Sequence, residues 1–173
     1  MRLFEVAPDA SLLAWKRSTL ADAGFRPRTA VVDVAASTAD PGQCAAALLA
    51  AGLDPRIPTR WVIEPPLLDG VEEATAAAAL FEMASENGGT PASGVAAQVV
   101  ESSWATHLAQ LGMTAPPTPP SSDGLASVDA ALEACRRAGW REKKILRQTD
   151  FAETYNRSPH ESFALIFAEA DPK

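Results

Sequence analysis

Aromatic residues and cysteines are scarce in this sequence of 173 residues, and it contains no long hydrophobic run. Aromatic side chains make up only 6% of the chain, so its core has to be built mainly from small aliphatic residues. No segment reaches the roughly 18 consecutive apolar residues that a membrane-spanning helix needs. The N-terminus carries an acid at Glu5 and no apolar stretch typical of a secretory signal. We therefore expect a soluble, cytoplasmic protein with a single domain over residues 1–173 and no membrane partner.

Positive charge is also limited, since 15 basic residues are outnumbered by 22 acidic residues and the net charge is −7. Nucleic-acid binding depends on clustered basic side chains that neutralise phosphates, so we expect no nucleic-acid partner. Cys44 and Cys135 lie far apart in predicted helices, which favours buried free thiols over a disulfide. Neither these cysteines nor His107 and His160 have the spacing of metal ligands, so the sequence predicts no metal site.

The rest of the sequence alternates short β-branched segments with helical segments. This alternation predicts an α/β fold with a mainly parallel sheet and helices on both faces. Little chain separates the last two strands, so we expect them to form an antiparallel pair. Residues 114–124 predict a flexible, proline-rich loop. The predicted strands are 3–6, 29–34, 60–64, 94–101, 142–146 and 162–167, and the predicted helices are 9–24, 41–52, 69–87, 104–111, 127–139 and 151–155.

Acidic residues stand at the ends of three predicted strands, at Glu5, Asp33 and Glu64. Open α/β sheets bind ligands in the crevice beyond the carboxyl ends of their strands. A carboxylate in such a place needs a hydrogen-bond partner, because its desolvation is otherwise costly. The pattern therefore indicates a ligand site lined by these acids. The alternative is that each acid only caps the following helix.

Five segments of the sequence resemble the leucine carboxyl methyltransferase family, and they follow the family's order along the chain. The resemblance implies a Rossmann-like O-methyltransferase that depends on S-adenosyl-L-methionine. It implies as methyl acceptor a hydroxyl group or a carboxylate, on a small molecule or at a protein C-terminus. The segments are Phe4-Glu5-Val6 with Lys16, Asp33-Val34, Glu64 before Leu67-Leu68, Gly139-Trp140, and Tyr155-Asn156-Arg157-Ser158-Pro159.

The same resemblance implies roles for individual residues in binding S-adenosyl-L-methionine. Asp33 holds the adenine amino group, Val34 contributes backbone contacts to the adenine ring, and Glu64 lies beside the methionine part. The family's ribose-binding acid closes the first of these strands, where this chain has Ala7. Glu5 or Asp9 has to shift to take the place of that acid, and Glu5 is the cofactor-binding candidate on the strand itself.

Methyl transfer needs alignment and exclusion of water, so no nucleophile or general base is expected among the residues. Arg157 offers a fork of donors for a substrate carboxylate, and the alternative for its segment is a solvated turn. A second function remains open, namely an inactive remnant or interaction module that keeps part of the fold.

The chain also departs from the family, because it has no strand leading into a Gly-rich turn. In the family that strand lies between the strands that end here at Val6 and Glu64. Without it these two strands have to pair directly, leave a gap, or borrow a strand from another chain. We therefore expect the fold to be truncated at its N-terminus, and the protein to form a homo-oligomer or to require a complementing chain.

Overall fold

The computed structural model describes residues 1–63, 72–88, 90–100, 128–147, 150 and 163–170. Internal contacts divide the chain into two compact units, Met1–Asp54 and Pro55–Lys173. The predicted proline-rich loop at 114–124 and the predicted helices at 104–111 and 151–155 lie outside the described residues. The single domain over residues 1–173 stays a prediction.

The first unit consists of two βα segments. Its strands pair in parallel and in register, from Arg2 opposite Ala30 to Ala7 opposite Ala35. Helix α1 packs across both strands, and helix α2 packs against β2. The elements of this unit are β1 (Arg2–Ala7), α1 (Ala10–Asp22), β2 (Ala30–Ala35) and α2 (Pro41–Ala50).

Both helices of the first unit begin directly after aspartates. The carboxylate of Asp9 accepts a hydrogen bond from the backbone N–H of Ser11 at 2.7 Å. Asp40 accepts one from the backbone N–H of Gln43 at 2.9 Å. After α1 the chain turns at Gly24, whose φ of +82° is in the left-handed region that favours glycine. These caps supply hydrogen bonds to N–H groups that have no partner within the helix.

The second unit is a four-stranded mixed sheet with strand order β3-β4-β6-β5. Strands β3 and β4 are parallel, whereas β6 runs antiparallel to both β4 and β5. The α/β class, the helices between strands and the antiparallel C-terminal pair are thereby confirmed. The elements are β3 (Arg60–Ile63), α3 (Glu72–Glu86), β4 (Gly94–Val100), α4 (Val128–Arg137), β5 (Trp140–Arg147) and β6 (Phe163–Ala170).

The core of the second unit lies where α3 and α4 meet the sheet. Phe81, Cys135, Trp140 and Ile166 are all at most 2% exposed. The indole Nε1 of Trp140 donates a hydrogen bond to the carbonyl oxygen of Phe81 at 3.0 Å, which joins β5 to α3. Cys135 and Cys44 are both buried and free, as expected from the sequence.

Within the described residues, β1 and β3 belong to different sheets. A search of the same ranges finds no helix whose length and apolar character suffice to cross a membrane.

Candidate functional site

The carboxyl edge of the first sheet is formed by two alanines. Ala7 and Ala35 lie opposite each other at the ends of β1 and β2. The ladder extends one step further, because the N–H of Ala36 donates to the carbonyl oxygen of Ala7 at 2.9 Å. Neither strand therefore ends on an ionisable side chain. The first acids after the two strand ends are Asp9 and Asp40, which cap the two helices.

Glu5 and Asp33 are brought together, but not at the strand ends. They lie directly opposite each other in the β1–β2 register, two residues before Ala7 and Ala35. Side chains alternate between the faces of a sheet, so both acids point to the same face. That face is covered by α1, because both carboxylates contact its side chains.

Arg17 of α1 links the two carboxylates. Its Nη2 donates to Glu5 Oε2 at 2.9 Å, and its Nε donates to Asp33 Oδ2 at 3.3 Å. A further hydrogen bond joins Nη2 to Asp33 Oδ1, and Lys16 forms an ion pair with Glu5. The side chains of Glu5, Arg17 and Asp33 are 20%, 29% and 36% exposed, so the cluster is partly screened by water.

This acid–base cluster is formally neutral, with two carboxylates and two cations. The hydrogen bond to Asp33 raises the pKa of Arg17 from its ordinary value, so the guanidinium remains charged. The sequence analysis did not identify Arg17 as part of the site. The sequence feature that could have identified it is the pair of basic residues Lys16 and Arg17, which lies on the helix that follows the strand carrying Glu5.

Val34 points to the opposite face from Asp33 and is only 4% exposed. In a parallel ladder, alternate residues of one strand bond to the partner strand. The N–H of Ala36 bonds to Ala7, so the even-numbered residues of β2 are the ones that bond to β1. The N–H and C=O of Val34 therefore point toward β1. The side chain of Val34 thus packs in the core, and its backbone belongs to the sheet.

Asp9 is the first acid after the strand end at Ala7. Its two oxygens accept from the N–H and the hydroxyl of Ser11, both at 2.7 Å. The side-chain hydrogen bond from Ser11 is the main cause that lowers the pKa of Asp9, so this exposed carboxylate is ionised at neutral pH. Its first role is to cap α1.

The other predicted site residues, Glu64 and Arg157, lie outside the described residues. Within the described ranges, no group of three or more potential ligands could hold a metal ion. The basic residues around α4 and β5 are surface groups, and several are paired. Arg136 contacts Glu142 at 3.4 Å and Lys143 contacts Glu169 at 2.9 Å.

Comparisons with known proteins connect this geometry to a family. Residues 1–68 match the family model described as leucine carboxyl methyltransferase. These residues include the acid–base cluster, Ala7, Val34 and Glu64. No protein with a curated description matches the sequence.

Solved structures share the fold over nearly the whole chain. A protein from Pyrococcus horikoshii aligns with 99% of this chain and 72% of its own, at a TM-score of 0.60 and 5% identity. A putative S-adenosylmethionine-dependent methyltransferase from Listeria monocytogenes aligns with 99% of this chain and 81% of its own, at a TM-score of 0.57 and 10% identity.

The glycopeptide N-methyltransferase MtfA, solved in complex with sinefungin, aligns with 98% of this chain and 71% of its own, at a TM-score of 0.56 and 15% identity. At these identities the structures establish that the chain shares the Rossmann-like α/β fold of these proteins. The match over residues 1–68 makes this part of the chain similar to the leucine carboxyl methyltransferase family.

Proposed function

We propose that this chain is an S-adenosyl-L-methionine-dependent methyltransferase of the O-methyl type. The observation that carries the proposal is the family match over residues 1–68, which contains all the proposed cofactor-binding positions. MtfA, a neighbour in fold, has been solved with S-adenosyl-L-methionine and with S-adenosyl-L-homocysteine. In the proposed site Asp33 holds the adenine amino group, Val34 lies beside the adenine ring, Glu5 contributes on β1, and Glu64 lies beside the methionine part.

The chemistry of Asp33 fits an adenine amino group. A carboxylate has about four acceptor positions, and Arg17 uses one on each oxygen of Asp33. Acceptor capacity therefore remains for a donor N–H. Arg17 also fixes the orientation of the carboxylate, so we assign it as a positioning residue. The N–H and C=O of Val34 point toward β1 and its side chain is 4% exposed, so backbone contacts to the adenine ring require Val34 to leave the ladder.

The ribose hydroxyls lack their usual acceptor, because Ala7 carries a methyl group where the family has a carboxylate. Glu5 lies two residues before Ala7 on β1 and points to the same face. Its carboxylate is already bound by Lys16 and Arg17. Asp9 is bound by Ser11. We therefore expect the cofactor to bind more weakly than it does to a site that has the acid.

Bound S-adenosyl-L-methionine supplies an activated methyl group on a sulfonium. The chain has to align the acceptor oxygen with that methyl group and exclude water. A carboxylate acceptor arrives ionised and needs no general base. In this proposal Arg157 orients it through two parallel N–H donors. A hydroxyl acceptor is the other oxygen acceptor that the family implies.

The second candidate function is an interaction module without catalytic activity. Ala7 supports it, because the chain lacks the ribose acid. The ion pairs of Glu5 and Asp33 also support it, because a purely structural cluster needs no ligand.

Titration calorimetry with S-adenosyl-L-homocysteine distinguishes these functions. The proposal predicts saturable binding to the whole chain and its loss in Asp33→Ala, while Asp22→Ala at the exposed end of α1 binds normally. Circular dichroism and urea unfolding show whether Asp33→Ala remains folded. Absence of heat with the wild-type chain at millimolar ligand supports the interaction module instead.

A further inference from the structure

Arg17 binds the carboxylate of Asp33 through two hydrogen bonds that end on its two oxygens. Nη2 donates to Oδ1, and Nε donates to Oδ2 at 3.3 Å. A single hydrogen bond leaves a carboxylate free to rotate about its Cβ–Cγ bond, whereas a planar fork that contacts both oxygens fixes its plane. The acceptor positions that Arg17 leaves available on Asp33 therefore point in fixed directions.

Glu5 holds the other side of the same guanidinium. Its Oε2 accepts a hydrogen bond from Nη2 of Arg17 at 2.9 Å, so this one nitrogen bonds to both carboxylates. Glu5 is itself held by an ion pair between its Oε1 and Lys16. The contacts form one chain that runs from Lys16 to the carboxylate of Asp33.

The two partners of the guanidinium are held apart by the backbone of the sheet. Glu5 on β1 lies directly opposite Asp33 on β2 in the parallel ladder, so the spacing of their Cα atoms is set by strand pairing. The side chains of Glu5 and Arg17 are only 20% and 29% exposed. Exposed ion pairs order their side chains weakly, but a bidentate, partly buried pair with a third partner orders them more strongly.

A carboxylate that is held in one orientation discriminates between bases with different hydrogen-bonding groups. The amino group of adenine donates a hydrogen bond to it, whereas the oxo group at the same position of hypoxanthine carries lone pairs and is repelled. A mobile carboxylate turns away from that oxo group and accepts from the ring N–H beside it. Fixing Asp33 removes the orientation that suits hypoxanthine, and selectivity for adenine rises.

We propose that Glu5 and Arg17 are positioning residues that set the selectivity of this site for adenine over hypoxanthine, by holding Asp33 in one orientation. This role rests on the proposed function, because it requires Asp33 to accept a hydrogen bond from the base. It also accounts for the contacts of Glu5, whose two carboxylate oxygens are bound by Lys16 and Arg17. Glu5 then acts through Arg17 and does not have to touch the ligand.

Titration calorimetry of the whole chain with two ligands tests this role. The ligands are S-adenosyl-L-homocysteine and S-inosyl-L-homocysteine, which carries hypoxanthine in place of adenine. We expect the wild-type chain to bind the adenosyl compound at least about tenfold more tightly, because a hydrogen bond to a charged group is lost with hypoxanthine. The ratio of the two dissociation constants is the decisive quantity, since a loss of stability alone weakens the binding of both ligands equally.

Two variants change the contacts of Asp33 while its own side chain is kept. Arg17→Lys keeps the positive charge but removes the planar fork, and we expect it to lower the ratio by about fivefold. Glu5→Gln removes the charge that holds Arg17, and we expect a smaller decrease of the ratio. Arg26→Lys is the matched control, because Arg26 makes its hydrogen bonds to the backbone carbonyls of Ala21 and Phe25. Its ratio is expected to equal that of the wild-type chain.

The results separate failure of this role from failure of the proposed function. A wild-type chain that binds neither ligand, or both equally, contradicts the proposed adenine contact of Asp33 and this role with it. Selective binding with a ratio that Arg17→Lys leaves unchanged overturns this role alone. Equal weakening of both ligands by Glu5→Gln overturns the part assigned to Glu5. Circular dichroism reports whether each variant folds, and Glu5→Gln decides if Arg17→Lys does not.

Discussion

Glu5 and Asp33 lie directly opposite each other on parallel strands, and one guanidinium bridges them. Like charges at facing positions of neighbouring strands destabilise a sheet. Arg17 offsets this repulsion because its planar donor group reaches both carboxylates from α1. The bridge therefore joins three elements of the first unit and holds the carboxylate of Asp33 in place.

Replacing Arg17 by methionine tests how much this bridge contributes to the free energy of unfolding. We expect Arg17→Met to lower the free energy of unfolding by about 1 kcal/mol, because it leaves two facing carboxylates with only Lys16 beside them. The partial exposure of all three side chains keeps the loss modest. Urea unfolding gives the value. Lys16→Met is the control and is expected to cost less, since Lys16 is 50% exposed and contacts Glu5 alone. Equal losses contradict a special role for Arg17.

Restoring an acid at the end of β1 tests the proposed cofactor site. We expect Ala7→Asp to bind S-adenosyl-L-homocysteine at least about tenfold more tightly than the wild-type chain, since hydrogen bonds from ribose hydroxyls to a carboxylate are worth about 1.4 kcal/mol or more. Titration calorimetry measures the gain. Ala35→Asp, directly across the register, adds the same charge without the expected ribose contact. The same affinity in both variants argues for a general charge effect.

The order of the elements could be predicted because local signals mark their ends. Aspartates before α1 and α2, and glycines after α1 and α4, place those helices to within about two residues. The antiparallel end of the second sheet follows from the short connection between its last two strands. The separation of the strands into two sheets depends on long-range pairing, which no local signal determines.

The positions of Glu5 and Asp33 relative to each other and to the strand ends could not be predicted from the sequence. Alternation predicts that Glu5 and Asp33 share a face only when the register of β1 and β2 is known. Both strands also continue through alanines, because the pairing of Ala7 with Ala35 and Ala36 extends the ladder. Small apolar residues carry no sequence signal for a strand end. The acids consequently lie under α1, where Arg17 can reach them.

Two buried tryptophan N–H groups among the described residues of the second unit provide a matched comparison. Trp140 Nε1 donates to Phe81 O, whereas Trp61 Nε1 is buried with no hydrogen-bond partner among the described residues. We expect Trp140→Phe to lower the free energy of unfolding by about 3 kcal/mol, from the lost hydrogen bond and the cavity. Trp61→Phe is expected to cost about 1 kcal/mol or less, because it removes an unsatisfied donor. Urea unfolding of both variants checks the order, and a larger loss for Trp61→Phe contradicts it.

Because Cys135 is buried, we expect the stability of the second unit to fall at alkaline pH. Burial raises the pKa of this thiol from 9.0 to about 12. Below pH 9 the thiol is neutral in both states, so its contribution to stability is fully present. Between pH 9 and about 12 the unfolded chain loses the proton first, and stability falls as pH rises. At pH 10 the wild-type chain is expected to lose about 1.4 kcal/mol relative to Cys135→Ala, compared with their difference at pH 8. Urea unfolding at both pH values measures this loss, and a difference between the two chains that does not change with pH contradicts the burial of the thiol.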